Sequence, residues 1–447
     1  MSIKEQESTI LQAPSKKKVI RASLLNPVSD QQVDLLPDTL LVLTPSADDT
    51  GDKIELMGNE EELASYLHPK SEYQIVDLRN YILIPGLIDL HFHWVQDAVR
   101  SAPKESLLEW LKNHTWPTEA KFADLDYSQL SAAKFSAELI KNGTMAGCCY
   151  SSIHDHTIDH IKNSFVGDFI VGTVIMTINS PDYLTQDPDE VIRVVTKRCQ
   201  QLQAEYAVTP RFAPTVDPAT LTAIGESAMK NGSFIQTHLA ETKDEIDYVL
   251  SIFRQFPLFS DVNSYTDIYH RCKLLTPKTI MGHAIHLDES EWQLLAQTGT
   301  AIAHCPTSNA PLKELGLGSG LFNYQMADHY NIKWGLASDI GAGPHLSMFD
   351  VIRSFVEQNR RAGLNPTYTQ GLFRSTLASA EIMGQKDLLG SFAPGKWANW
   401  LMLSGPNLNS KLDGEGVLSS LIGNKQQSRS DFYQLIQGRY YRGKMIG

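Results

Sequence analysis

Cysteine is scarce in this sequence, and the few cysteines present form no recognisable framework. There are five, an odd number without a C-x-x-C pair: Cys148, Cys149, Cys199, Cys272 and Cys305. A disulfide scaffold and a structural zinc knuckle are therefore not indicated, and a reducing compartment is expected. Cys305 beside His304 is an alternative nucleophile, but the apolar run before it favours a buried strand end.

An excess of positive charge and long apolar runs are also missing. Lysine and arginine number 39 against 51 aspartates and glutamates, a net charge of -12. This balance disfavours binding to nucleic acid or to anionic membranes. No apolar run approaches the ~20 residues that a membrane helix needs, and the polar residues 1–6 lack the apolar core of a signal peptide. The sequence predicts a cytoplasmic protein with neither nucleic-acid nor membrane partners.

The pattern of apolar residues changes twice along the chain. Residues 17–82 contain short apolar segments broken by proline, aspartate and glycine, which is typical of small antiparallel strands. Residues 84–390 alternate between strand-like and helical patterns, with eight strand-like runs, and short strands return after 390. We therefore predict an α/β fold in which residues 83–390 form a (β/α)8 barrel of the TIM type. Residues 1–82 and 391–447 are expected to build a small flanking β-sandwich. An open doubly wound sheet is the alternative, but no G-x-G-x-x-G follows the first strand.

The first strand of the predicted barrel ends in two histidines. Residues 84–94 read Ile-Pro-Gly-Leu-Ile-Asp-Leu-His-Phe-His-Trp, and alternate side chains of a strand share one face. His91 and His93 can therefore point at the same metal ion. Further candidate groups follow three later strand-like runs: His238 with Glu241, His283, and Asp339. Reactive groups of such barrels sit at the C-terminal ends of the strands, where all of these lie.

Three imidazoles and a carboxylate suit Zn²⁺, with Fe²⁺ as the alternative, and leave a position for a water that loses its proton near neutral pH. Residues 206–212 contain no lysine, the residue that bridges two metals in binuclear barrel hydrolases, so one ion per chain is expected. Glu241, three residues after His238, can stand beside the metal as a proton carrier. Simpler alternatives are a core histidine at His283, a helix-opening acid at Glu241 and a plain turn at Asp339.

With these motifs in place, the chain resembles the amidohydrolase superfamily and, within it, the guanine deaminase family. The resemblance runs from about residue 80 to 395, and three segments carry its narrower part. Gln96 follows His93 by three residues, Leu-Leu-Glu-Trp-Leu-Lys-Asn-His-Thr-Trp-Pro-Thr-Glu at 107–119 is similar to the family's substrate-covering segment, and Thr-Pro-Arg-Phe-Ala-Pro-Thr at 209–215 resembles its purine-reading strand end. The residues around Gln96 are unusual for the family, and Asn399 stands where the superfamily commonly has aspartate.

The resemblance implies a role for each candidate residue. The metal ligands would be His91, His93, His238 and Asp339. The catalytic residues would be Glu241, Asp339 and His283. The contacts to guanine would be Gln96, Arg211 and Phe212, together with His93, His238, Glu241 and Asp339. His154 also occupies a family-like position, with a structural role as the alternative, and Arg211 could instead pair with a carboxylate at the barrel rim. A homodimer is implied as well.

The expected reaction is the hydrolytic deamination of guanine to xanthine and ammonia, as in purine catabolism and salvage. Glu241 would protonate N3 of the base while Asp339 takes a proton from the attacking water, and His283 would polarise or orient groups at the site. The alternatives are a hydrolase of another azaheterocycle such as 8-oxoguanine, a pterin or a triazine, and an inactive barrel scaffold. The scaffold predicts loss of a ligand or of Glu241, and none is missing. A zinc nucleic-acid deaminase would carry H-x-E with P-C-x-x-C, which is absent.

Overall fold

The structure, a computed structural model, describes residues 17–69, 72–104, 106–311, 316–404 and 412–447, so the polar start at residues 1–6 lies outside it. Within these ranges the chain forms sixteen strands: β1 (Lys17–Ser29), β2 (Gln32–Pro45), β3 (Asp52–Gly58), β4 (Tyr73–Pro85), β5 (Leu87–His93), β6 (Thr144–Tyr150), β7 (Asp168–Gly172), β8 (Val174–Ile175), β9 (Ala207–Pro210), β10 (Phe234–Leu239), β11 (Thr279–His283), β12 (Ala301–His304), β13 (Trp334–Leu336), β14 (Trp400–Ser404), β15 (Ile436–Tyr441) and β16 (Lys444–Met445).

The same ranges contain fourteen α-helices: α1 (Leu107–Trp110), α2 (Trp116–Glu119), α3 (Leu125–Asn142), α4 (His156–Ser164), α5 (Pro188–Leu202), α6 (Pro218–Asn231), α7 (Lys243–Phe253), α8 (Tyr265–Arg271), α9 (Glu289–Thr298), α10 (Tyr324–His329), α11 (Met348–Arg361), α12 (Tyr368–Arg374), α13 (Leu377–Ile382) and α14 (Gly414–Ile422). Among the described residues, no helix combines the length and the apolar character that crossing a bilayer requires.

Strands from both ends of the chain share one seven-stranded sheet, in the order β16-β15-β14-β4-β1-β2-β3. The prediction that both termini build one flanking β-unit is confirmed. The expectation of purely antiparallel strands is wrong at one place, because β1 pairs with β4 in the parallel sense. β4 lies on the side of β1 away from β2 and runs in the same direction as β1. The division of domains at residues 82 and 390 stays a prediction.

Parallel strands form the barrel in two sheets, β5-β6-β7 and β8 through β13. The run predicted as a single third strand is interrupted at Thr173 into β7 and β8, and a parallel bridge from Val171 to Tyr206 spans the interruption. At the other seam, the Asp339 N–H donates to the His91 carbonyl at 2.8 Å, and the His93 N–H donates to the Ile340 carbonyl at 2.5 Å. Backbone pairing thus joins the two sheets at both of their junctions, and the predicted eight-stranded barrel is confirmed.

Local sequence signals set the ends of the helices around the barrel. Helix α3 begins after Asp124, whose carboxylate accepts the Tyr127 N–H at 2.8 Å, and it ends at Gly143, which has a left-handed φ of 77°. Helix α5 begins with Pro188, where the missing N–H costs nothing. The helical patterns that the sequence shows at 129–140 and 188–195 are therefore confirmed. Because the barrel strands are parallel, their C-terminal ends lie at one rim.

Candidate active site

Four metal-ligand candidates converge at the C-terminal ends of three barrel strands. The Nε2 atom of His93 lies 3.2 Å from Nε2 of His91 and 3.2 Å from Nε2 of His238. Oδ1 of Asp339 lies 3.3 Å from Nε2 of His91 and 3.6 Å from Nε2 of His93. His91 and His93 meet there because they are alternate residues of β5, while β10 and the segment after β13 bring the other two.

The spacing and protonation of these groups fit a bound metal ion. Two ligand atoms about 2.1 Å from a tetrahedral metal lie about 3.4 Å apart, close to the observed separations. His238 donates its Nδ1–H to the Arg211 carbonyl at 2.6 Å, which leaves the lone pair of Nε2 facing the cluster. Burial, followed by the neighbouring imidazoles, holds the pKa of His93 and of His238 well below its usual range. A neutral imidazole is the form that binds metal. In addition, the ligand atoms of His91, His238 and His283 lie within 4.8 Å of one another.

Glu241 and His283 form a second buried pair beside this cluster. One Glu241 oxygen accepts from Asn309 Nδ2 at 3.0 Å and from the Ser319 hydroxyl at 3.2 Å, and the other lies 3.6 Å from Nε2 of His283. Burial raises the pKa of Glu241 to about 7. Burial alone would lower the pKa of His283, but the carboxylates of Glu241 and Asp339 outweigh it and hold that pKa above its ordinary value. A carboxyl group with a pKa near neutrality can both give and take a proton.

The surroundings of Glu241 and Asp339 do not favour the simpler interpretations of these two residues, a helix-opening acid and a plain turn. Helix α7 begins at Lys243 and is capped by Thr242 and Glu245, so Glu241 lies outside it and is 2% exposed. Asp339 is likewise buried rather than part of an open turn. Its pKa falls below the ordinary value because the hydrogen bond with His91 and the nearby His283 outweigh the effect of burial. Asp339 is therefore held as a carboxylate.

Gln96, Arg211 and Phe212, which are predicted to hold the base, line the same pocket as the groups described above. Gln96 and Arg211 are buried, and both donate to the carboxylate of Glu119: Gln96 Nε2 at 2.9 Å and Arg211 Nη1 at 2.6 Å. The suggested pairing of Arg211 with a carboxylate is thus present, yet Arg211 still lines the pocket. The pocket is lined by His93, Gln96, Leu107, Trp110, Leu111, Arg211, Phe212, His238, Glu241, Glu245, His283, Asp339 and Ala342.

Residues 107–119, which we call the cover segment, close one side of this pocket. Trp110 and Leu111 pack with Leu317 and Ala342 in a small apolar cluster. The predicted role of these residues as a substrate cover is consistent with their place in the pocket lining. Such an apolar wall excludes water from the polar groups opposite and strengthens their electrostatic interactions.

Backbone strain occurs at the rim of the site. Of the eleven non-glycine residues with positive φ in the described part of the chain, four lie here: Ala240 (48°), His283 (72°), Ala284 (52°) and Asp339 (51°). Such conformations cost about 1–3 kcal/mol each and persist where the surroundings force them, often at functional sites. Gly282 adds a steric constraint, since a Cβ there would lie 2.8 Å from Cε1 of His91. The turn after β11 is therefore shaped around the His91 ring.

Several residues that support the site were not predicted from the sequence. Asp89 is fully buried, accepts the N–H groups of Ser338 at 2.9 Å and His91 at 3.2 Å, and also bonds to the Ser338 hydroxyl. It thereby ties β5 to the segment that carries Asp339. Its signal was an acidic residue inside an apolar strand, two residues before His91. No local signal pointed to Glu119 or to Asn309.

The structure supports no role in this chemistry for two residues weighed from the sequence. His154 lines a separate cavity with Asp155 and His156, and it is not part of the pocket described above. Cys305 is buried close to His91 and Asp339, but burial raises the pKa of its thiol far above the ordinary value. A thiol held in its neutral form is a poor nucleophile, so the structure gives no support to that role. All five cysteines are buried and unpaired.

Comparison with known proteins gives a consistent result. The chain matches the amidohydrolase family over residues 82–428. It is 34% identical over 342 residues to the guanine deaminase of Escherichia coli (strain K12), a match that covers 74% of each chain. The guanine deaminase of Mus musculus is 31% identical over 347 residues, again 74% of each chain. A crystal structure of guanine deaminase from C. acetobutylicum with guanine bound in its active site superposes with a TM-score of 0.82 at 26% identity, covering 97% of this chain and 100% of the other.

Proposed function

Because the chain belongs to the amidohydrolase family, and within it to the guanine deaminases, we propose that it hydrolyses guanine to xanthine and ammonia. It is a hydrolase that acts on a C–N bond. The observation that carries the proposal is one pocket lined both by His93, His238 and Asp339 with Glu241, and by Gln96, Arg211 and Phe212. The first group can activate water and move protons, and the second can read the edge of a purine.

The proposed metal site consists of His91, His93, His238 and Asp339. A divalent ion held there would supply an activated water at neutral pH. We propose Zn²⁺, with Fe²⁺ as the alternative, since three imidazoles and a carboxylate suit both metals. We propose one ion per chain, because residues 206–212 contain no lysine that could bridge two ions. The hydrogen bond from His238 to the Arg211 carbonyl supports this assignment because it fixes the tautomer.

The residues of this chain carry the protons of the reaction. C2 of guanine is a poor electrophile, so the attack of the water oxygen needs a proton on N3 at the same time. Glu241 gives that proton, and Asp339 takes one from the water. The C2–N bond then breaks, and the amine leaves as ammonia with the proton held by Asp339. The hydroxyl proton left on C2 returns to Glu241, which regenerates the site and gives xanthine. Asn309 links His283 to Glu241: its Oδ1 lies 3.2 Å from Nδ1 of His283, and its Nδ2 donates to Glu241 at 3.0 Å. His283 thereby orients Glu241.

The test is ammonia release from guanine, adenine, cytosine, 8-oxoguanine and isoxanthopterin, with metal analysis of the same sample. Guanine should have the highest kcat/KM. Faster release from 8-oxoguanine or isoxanthopterin would assign the enzyme to a related azaheterocycle instead. A metal-loaded protein that releases ammonia from none of them would support the inactive scaffold. The homodimer, the cytoplasmic location and the absence of nucleic-acid and membrane partners stay predictions.

A further inference from the structure

Glu119 is the last residue of α2 and of the cover segment, and its side chain is fully buried. Arg211 Nη1 donates to both of its oxygens at 2.6 Å, and Gln96 Nε2 donates to Oε1 at 2.9 Å. We propose that Glu119 is a positioning residue that decides which hydrogen-bonding groups Gln96 and Arg211 present to the substrate. This inference deepens the proposed function, since it concerns how the same pocket selects one class of purine.

The carboxylate of Glu119 fixes which way round the Gln96 amide lies. An ionised carboxylate only accepts hydrogen bonds, so the end of Gln96 that faces it must be the NH₂ group. The amide oxygen is consequently the end left for the pocket, which Gln96 lines. Within the described ranges, that oxygen has no hydrogen-bond partner. Gln96 therefore offers the substrate an acceptor.

Arg211 offers the opposite kind of group. A guanidinium has five N–H donors and no acceptor, and Glu119 engages only Nη1. Because Arg211 and Gln96 bond to the same carboxylate oxygen, a donor and an acceptor stand side by side on the pocket wall. The complementary ligand edge has an N–H beside a carbonyl, which is the N1–H and O6 edge of a 6-oxopurine. A purine with an unprotonated N1 would instead place its lone pair against the Gln96 oxygen.

Replacing Glu119 with glutamine should break half of this pattern. Arg211 Nη1 contacts both oxygens of Glu119, so the new NH₂ group faces that donor in either orientation of the amide. With the NH₂ group at the Oε1 position, the Gln96 amide must also turn round to accept from it, and the NH₂ group of Gln96 would face the pocket. With the NH₂ group at the Oε2 position, Gln96 keeps its bond and Arg211 is displaced. A 6-oxopurine therefore loses either the acceptor for N1–H or the donor for O6, and its advantage over a purine with a bare N1 should narrow in both cases.

The experiment measures the Kd of hypoxanthine and of purine for the metal-loaded protein by calorimetry. Neither ligand has a 2-amino group, so neither can be deaminated at C2, and they differ only in the N1–H and O6 edge. In the wild type, hypoxanthine should bind at least ~10²-fold more tightly, because sites built on buried hydrogen bonds discriminate strongly. In Glu119→Gln the ratio of the Kd of purine to the Kd of hypoxanthine should fall by at least ~10-fold. The ratio of kcat/KM for guanine over 2-aminopurine should narrow in parallel.

Three variants separate positioning from a general structural role. Glu119→Asp keeps an acceptor-only group and should restore most of the hypoxanthine preference. Glu291→Gln neutralises another buried carboxylate, which caps α9 and contacts Thr266, and it should leave the ratio unchanged. Glu119→Gln introduced into Gln96→Met should change the ratio less than Glu119→Gln alone does, since the amide through which part of its effect acts is gone.

The outcomes decide the proposal independently of the reaction. If Glu119→Gln weakens both ligands equally and keeps their ratio, Glu119 only supports the fold and the proposal is wrong. If that variant does not fold, Gln96→Met alone must narrow the ratio, and an unchanged ratio would overturn the proposal. A wild type that prefers hypoxanthine without deaminating guanine would refute the proposed function alone. A wild type that deaminates guanine but shows an unaltered ratio in the variant would refute this inference alone.

Discussion

Glu241→Gln should remove the transferable proton while leaving the buried hydrogen bonds in place. The oxygen of Glu241 that accepts from Asn309 at 3.0 Å and Ser319 at 3.2 Å has a counterpart in the glutamine amide. The other oxygen, 3.6 Å from Nε2 of His283, is replaced by an NH₂ group that cannot titrate. The fold and the cluster of metal-ligand candidates should therefore survive the change.

The expected loss follows from the role of the proton. Burial raises the pKa of Glu241 to about 7, so that roughly half of the molecules carry the proton at neutral pH. General acid-base catalysis contributes ~10²–10⁴-fold to rate, so kcat should fall by that factor. This corresponds to a barrier about 2.7–5.4 kcal/mol higher. KM should change less than kcat, because Gln96, Arg211 and Phe212, which are proposed to hold the base, are unchanged in this variant.

The assay is the initial rate of xanthine formation, with metal content and thermal unfolding measured on the same preparations. Glu291→Gln is the matched control, because it neutralises another buried carboxylate that does not line the pocket. Its kcat should equal that of the wild type. A loss of less than ~10-fold in Glu241→Gln with full metal content would refute the proton-carrier role. Loss of metal would instead identify Glu241 as a ligand or a support of the metal site.

The purified protein should contain about one zinc or iron per chain, and His238→Ala should lose it; two tightly bound ions, or full activity without metal, would contradict the single site. Arg211→Met should lower kcat/KM for guanine and narrow the guanine preference over 2,6-diaminopurine by at least ~10-fold, because the donors to O6 are removed. An unaltered ratio in a folded, metal-loaded variant would assign O6 to another group. For pH, an acid with a raised pKa keeps its proton below that pKa and loses it above. The kcat of the wild type should therefore fall as pH rises through about 7, and the kcat of Glu241→Gln should show no such fall. A wild-type kcat that does not change between about pH 6 and 9 would contradict the assignment.

Local sequence patterns determined the parts of this protein that depend on local geometry. The two-residue period of a strand places His91 and His93 on one face, and Asp124 and Gly143 mark the ends of α3. Alternation of strands and helices is enough to indicate a barrel, whose strand ends share one rim. The shared position of His238 and Asp339 at that rim follows from the same alternation, so the composition of the site could be predicted.

Only the tertiary structure decided how buried polar groups pair across the fold. Glu119 and Arg211 are 92 residues apart, and Asp89 and Ser338 are 249 apart, yet each pair is joined by hydrogen bonds. The parallel pairing of β1 with β4 and the interruption of the third barrel strand were likewise hidden in the sequence. The physical reason is that local composition encodes the period and the ends of each element. Which buried donor meets which acceptor depends on the elements that come together when the barrel closes, because a buried polar group must find its partner wherever the fold brings one.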